Sequence, residues 1–304
     1  MSRPMYPRLL RGAHLVMLTF AAVSAYAGST GPQRPASQHP ASQLPESRKS
    51  GGDDARIASI SVVGTAFQVT LASGRVLSNQ ELTGATLTLV LPGGSTPEEV
   101  RIDAVVNDPL DPTGETLIYK MRALDPESGE WVEMCNPDAA GERWAFPMRG
   151  QWDSEGYVLS DAGFTLTCGD GSMGKCVRWG YKPWKTLPDG TQLFDYHQAC
   201  MRMVNANYCG NKRTTRDGML IDYWDALGIA KPEADPQKQG LQFEAAWGPN
   251  GAVCVAHTRV PEHETVADLE RDCPRLEGRL GPERCSAEAA SQWHEPVLLY
   301  NRSR

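Results

Sequence analysis

The sequence predicts an α+β protein: a small antiparallel β-sandwich or barrel over residues 57–130, then a disulfide-rich α+β module over residues 131–304. Three observations carry that expectation. Apolar and polar residues alternate between Ile57 and Cys135, all eight cysteines lie beyond position 130, and apolar residues recur at three-to-four spacing within the cysteine-rich part.

The chain begins with basic residues (Arg3, Arg8, Arg11), an apolar run from Leu15 to Ala25, and Ala25-Tyr26-Ala27 before Gly28. These are the three parts of a cleavable export signal, so residues 1–27 are expected to be a leader and the mature protein periplasmic, on the cell surface or secreted. The run falls well short of the ~20 residues that cross a bilayer, and no later stretch approaches that length, so no membrane span is expected. Of 30 basic and 37 acidic residues, three arginines and no acid leave with the leader, taking the net charge from −7 to −10. An acidic chain with no basic run or stripe argues against nucleic acid as a partner.

Residues 28–56 are rich in Pro, Ser, Gln and Gly, and repeat Pro35-Ala36-Ser37-Gln38-His39 as Pro40-Ala41-Ser42-Gln43-Leu44. So little apolar surface cannot offset the entropy of ordering, and the segment reads as a disordered linker. Beyond it, Phe67, Val69 and Leu71 alternate with polar residues, as do Val100, Ile102 and Ala104, and Leu117, Tyr119 and Met121. Breakers at Ser73-Gly74, Pro92-Gly93-Gly94, Asp111-Pro112-Thr113-Gly114 and Ser128-Gly129 cut this stretch into short antiparallel strands.

In the cysteine-rich part, Phe164 to Cys168 reads as a strand. Asp195 to Cys209 reads as a helix, with Phe194, His197, Cys200, Met201, Val204 and Tyr208 at helical spacing and Gly210 as its C-cap. A second helix runs from Thr265, an N-cap with Asp268 in its first turn, to Cys273, where Pro274 stops it.

Cys135, Cys168, Cys176, Cys200, Cys209, Cys254, Cys273 and Cys285 form an even set that an oxidising compartment would close into four bridges, in a pairing the sequence leaves open. Cys200 and Cys209, on one helix, would stand ~13 Å apart along its axis, too far to bridge, so each must staple the helix to something else. Local bridges Cys168–Cys176 and Cys273–Cys285 are feasible. His197 stands three residues before Cys200, yet no Cys-x-x-Cys accompanies it, so neither a metal nor a cofactor is expected.

Gly169-Asp170-Gly171-Ser172-Met173-Gly174-Lys175 has the spacing of a phosphate-binding loop, but Cys176 stands where the magnesium-binding hydroxyl belongs, and a tight glycine turn is the better reading. Ser172 lacks both the elbow and the chain order of a serine hydrolase. Asp222 and Asp225, beside Tyr223 and Trp224, would share a helix face, the arrangement of paired carboxylates and an aromatic platform that glycan hydrolysis uses. The bland alternative is a solvated helix face with Trp224 in the core. The eight tryptophans, Trp144, Trp152, Trp179, Trp184 and Trp247 among them, are expected to fill the core more than to line a groove.

Lys175-Cys176-Val177-Arg178-Trp179-Gly180-Tyr181-Lys182-Pro183-Trp184, His197-Gln198-Ala199-Cys200-Met201-Arg202-Met203, Ala206-Asn207-Tyr208-Cys209-Gly210 and Leu299-Tyr300-Asn301-Arg302-Ser303 together resemble the ADYC-domain proteins, exported bacterial proteins named for an Ala-Asp-Tyr-Cys motif. The resemblance spans roughly Trp131 to Arg304 and implies no activity or catalytic residue. Asn207 replaces the motif aspartate. An amide cannot exchange a proton, but it keeps a short acceptor oxygen for a backbone N–H, so the motif is expected to be structural.

The function expected is therefore that of an exported, disulfide-stabilised binding or surface-interaction protein with a glycan or protein ligand; whether it catalyses anything the sequence leaves open, with the balance against. The alternative is a secreted glycan-directed hydrolase using Asp222 and Asp225, with His197.

Overall fold

The structure is a computed structural model and describes residues 14–16, 56–90, 97–138, 140–152, 157–158 and 163–304. All but His14–Val16 of the expected leader, and residues 28–55 of the expected linker, lie outside these. The first described strand, β1 (His14–Val16), pairs antiparallel with Phe164–Leu166.

β2 (Ile57–Val63), β3 (Ala66–Leu71) and β4 (Val76–Ser78) form a three-stranded antiparallel meander. Next come β5 (Thr86–Val90), β6 (Pro97–Asn107), β7 (Leu117–Leu124), β8 (Trp131–Glu133) and β9 (Ala145–Arg149). A small ladder joins β10 (Gln151–Trp152) to β11 (Tyr157–Val158), and β12 (Phe164–Cys168) follows, as expected of that segment. The large sheet runs β1-β12-β9-β7-β6-β5, with β8 also on β7. It takes strands from both sides of residue 130, so the β part and the cysteine-rich part share one sheet.

The alternation in the sequence maps onto burial in β3 and the start of β6, but not in β7, where Leu117, Ile118 and Tyr119 are all buried. Phe67 and Val69 are buried, as are Val100 and Ile102, but a bulge between Ile102 and Ala104 shifts the phase, so Val105 turns inward in place of Ala104. Phe67 joins the meander to the large sheet. Its ring meets Tyr119 and Phe164 edge-on, with centroids 5.5 and 5.1 Å away, and its backbone N–H donates to the Tyr119 hydroxyl at 3.1 Å.

Helices are few and short: α1 (Ser172–Arg178) and α2 (Leu193–Val204), later α3 (Val266–Asp272) and α4 (Ala287–Ala290). With the antiparallel sheets dominant, the protein is mostly β and the α+β label fits only loosely. α3 is the second expected helix, capped by Thr265 and Asp268 in a reciprocal box and followed by Cys273 and Pro274. A four-stranded antiparallel sheet closes the fold, in the order β13 (Ile221–Asp225), β16 (Leu299–Ser303), β14 (Gln242–Gly248), β15 (Gly251–Val255). α2 lies against β14, β15 and β16.

The bridges are Cys135–Cys168, Cys176–Cys200, Cys209–Cys273 and Cys254–Cys285. Neither of the local pairings feasible from the sequence forms. Cys168 instead anchors the end of β12 to Cys135, just after β8, leaving Cys176 to tie α1 to α2, while Cys273 holds the segment after α2 and Cys285 reaches β15. Four bridges suggest an oxidising, extracytoplasmic environment. No helix among the described residues is long and apolar enough to cross a membrane.

Candidate functional site

The sequence segments singled out above converge around α2. The helix ends six residues before Gly210, the expected cap, because Ala206 takes the left-handed conformation with φ 47°. Its N–H donates to Met203 O at 3.1 Å and that of Asn207 to Arg202 O at 2.8 Å, the bond pair of a Schellman cap with alanine in the usual glycine position. Asn207 Oδ1 then accepts the Lys212 N–H at 3.1 Å, the backbone role expected of an amide here. Cys209 fastens the same segment to Cys273 at the end of α3.

Tyr208 points inward to a buried polar cluster. Its hydroxyl donates to Glu244 Oε1 at 3.0 Å and accepts the Arg259 N–H at 2.8 Å, and its ring stacks on Trp247 at 5.3 Å. Glu244 also accepts Arg259 Nε and Nη2 (3.0 and 2.9 Å) and Asn301 Nδ2 (2.7 Å), while Trp247 Nε1 donates to Asn301 Oδ1 at 2.7 Å. Arg259 Nη2 donates further to Met203 O at the end of α2. Both charged side chains are essentially closed to solvent. A register shift in β14 between Phe243 and Ala245 turns Glu244 inward while Phe243 packs on the other face. Burial, then the Glu244 charge, raises the Tyr208 pKa well above its ordinary value, so the hydroxyl stays protonated. Glu244 and Arg259 were not singled out in the sequence. The signal was a lone carboxylate inside the apolar run Phe243-Glu244-Ala245-Ala246-Trp247.

A second constellation joins the Lys175–Trp184 motif to the β6–β7 loop. Arg178 donates from Nε and Nη2 to both oxygens of Asp108, and from Nη1 to Asp138 at 3.0 Å. Lys182 Nζ reaches Asp111 Oδ2, Thr113 Oγ1 and Glu115 Oε2 at 2.7, 2.9 and 3.3 Å. Trp184 lies against Gly64 in the β2–β3 turn, where a β-carbon would come within 3.4 Å of the indole.

Asp222 and Asp225 do not share a helix face. They lie on strand β13, where positions three apart point to opposite sides. Asp222 accepts the Glu233 N–H at 2.9 Å and Arg302 Nη1 at 3.0 Å. Asp225 is buried and accepts the Tyr181 hydroxyl at 2.6 Å and the N–H groups of Leu227, Ile229 and Ala230, closing the turn after the strand. His197 is fully buried on α2, and loss of solvation pushes its pKa down to about 4 although a bond to the Met173 backbone opposes this. Ser172, at the start of α1, accepts Asn205 Nδ2 at 3.1 Å. The glycine turn before it leads from β12 straight into α1, a helix earlier than the sequence placed one; Gly174 permits this by lying against the Cys168 carbonyl.

The platform beside Asp222 is already occupied. Trp224 carries the Tyr300 ring at 5.5 Å, nearly parallel, and the Arg302 guanidinium 4.6 Å from its centroid. Of the other tryptophans, Trp247 is fully buried, and Trp144, Trp179 and Trp184 pack partly buried against the core; the Trp152 side chain lies outside the description. Among the described residues no three His, Cys, Asp or Glu side chains converge as a metal centre would require.

A family model, the ADYC domain, matches residues 79–261, more than half of the chain. The match begins within the β part, earlier than the stretch singled out by motif, and it takes in the β6–β7 loop that Arg178 and Lys182 hold. Neither a curated protein nor a solved structure matches the chain.

Proposed function

Because the chain belongs to the ADYC domain family, we propose that it is an extracytoplasmic binding or surface-interaction protein, taking a glycan or protein ligand and performing no catalysis. One observation carries the reading: the polar groups that chemistry would need are committed to holding the chain's own fold. Asp222 and Asp225 bind backbone amides and an arginine or a tyrosine, and Asn207 caps a turn. In this reading residues 1–27 export the chain, residues 28–56 tether it, and residues 57–304 present the ligand surface, with no nucleic acid involved.

The test is the mature chain from Gly28, made in an oxidising compartment and applied to glycan, cell-wall and peptide arrays. Saturable retention on one ligand class is expected. Absence of retention, together with glycan turnover that Asp222→Asn and Asp225→Asn abolish, overturns the reading in favour of a hydrolase.

A further inference from the structure

The turn between β14 and β15, residues 248–251, borders a cleft of about 80 Å³ with Val253, Arg275, Glu295 and Pro296. Positive charge is in excess there. Arg275 donates from Nη2 to Tyr208 O at 2.7 Å, and its Nη1 stands 3.6 Å from Glu295 Oε2. Arg279 Nη1 donates to the other oxygen of Glu295 at 2.9 Å. Arg202 Nε reaches Pro249 O, on the same turn, at 3.4 Å. Burial presses the Arg275 pKa down; Glu295 opposes this, and Arg279 and Arg202 add to it.

Hydrogen-bond donors are in excess as well. Arg275 Nε is buried with no acceptor among the described residues, and so is the indole N–H of Trp293, over whose ring the Arg279 guanidinium lies at 4.6 Å. Two guanidinium groups, Arg275 and Arg279, thus flank one carboxylate, Glu295, whose side chain is 41% exposed, and Arg275 adds a buried unmatched donor at the cleft.

We propose that this cleft binds a single carboxylate or phosphate group, displacing Glu295, the internal carboxylate that holds the place. Guanidinium groups favour such planar or tetrahedral oxyanions through paired N–H donors. A space equal to about two or three waters suits the charged end of a ligand and excludes a whole sugar ring. Pro249, Val253 and Pro296 give it apolar walls, which strengthen charge interactions inside. The chain as a whole carries −7, so saturable anion binding has to come from the local arginines and not from a general field. The proposal does not depend on the ligand reading above, because array retention and anion titration can each fail alone.

The test is a titration of the full chain, labelled at arginine, with inorganic phosphate and separately with acetate at constant ionic strength. The Arg275 Nε–H resonance should shift and saturate with at least one anion, phosphate marking a phosphoryl ligand and acetate a carboxylate. Glu295→Gln should tighten that anion's affinity by about threefold or more, since it removes the internal competitor. Arg275→Lys should weaken it by about tenfold. Because Arg275 also holds Tyr208 O, the Glu295 variant at its exposed position decides the matter if Arg275→Lys fails to fold. No saturable shift with either anion, or unchanged or weaker affinity in Glu295→Gln, overturns the proposal.

Discussion

Arg178 grips both carboxylate oxygens of Asp108, a residue 70 positions earlier, at 2.7 and 3.0 Å. The Asp108 side chain is closed to solvent and that of Arg178 nearly so. The pair fastens α1, which the Cys176–Cys200 bridge locks to α2, onto the loop that joins two strands of the large sheet. Removing one partner leaves a buried charge uncompensated. Arg178→Met is expected to cost about 3–5 kcal/mol, read as a lower denaturation midpoint with unchanged slope. A loss under about 1 kcal/mol would show that water replaces the guanidinium at little cost.

The clasp at Tyr208 gives a second expectation. Tyr208→Phe removes the acceptor for the Arg259 N–H and one donor to Glu244 while keeping the stack on Trp247. It should cost about 1–3 kcal/mol in chemical denaturation. Glu244→Gln strips the charge that faces Arg259 and should cost more, about 3–5 kcal/mol.

Ala206 and Asn207 make the family motif itself testable. Valine, whose branched side chain fits the left-handed conformation poorly, should destabilise position 206 by more than about 2 kcal/mol, whereas glycine should change little. Asn207→Asp restores the family residue and keeps the oxygen that accepts the Lys212 N–H, so stability should move by less than about 1 kcal/mol. Glycan turnover gained in Asn207→Asp would refute the structural role of the motif.

Acid should destabilise the protein in two stages. The His197 pKa is near 4 in the fold against 6.5 ordinarily, so the unfolded chain binds the proton first. The stability this provides, about 3 kcal/mol for the full shift, is complete above pH 6.5 and is lost as pH falls toward 4. Burial by itself would raise the Asp111 pKa, but hydrogen bonds from Lys182, Thr113 and Thr116 outweigh it and hold the carboxyl well below the usual range. Its contribution is present above about pH 3.9 and fades below. Unfolding free energy measured from pH 7 to 3 should slope downward from 6.5, and His197→Gln should flatten the first stage.

Peptide mapping of the oxidised chain should return the four bridges described and no free thiol among the cysteines. Opening one bridge should cost about 2–4 kcal/mol. Cys135–Cys168 links the end of β12 to the segment just after β8, both part of or next to the large sheet, so reductant should lower the stability of the β part as well, followed by unfolding in urea with and without it.

The sequence by itself determined the antiparallel strands, the even cysteine set, helix α3 with its cap, and the family. Each of these rests on local physics: period-two alternation, residue chemistry at a cap, and motif residues readable in order. It allowed Asp222 and Asp225 to share a face if their segment were a helix, but tertiary pairing with β16 made that segment a strand and turned the two carboxylates apart. It expected Gly210 to end α2, since only glycine takes φ > 0 without strain, but the hydrogen bonds of Ala206 and Asn207 impose that conformation on alanine six residues after Cys200. Disulfide pairing, the Glu244–Arg259 cluster and the cleft at Arg275 were decided by the tertiary structure alone. Each joins residues far apart in the chain, and the free energy of such a contact depends on which partners burial brings together, which no local pattern records.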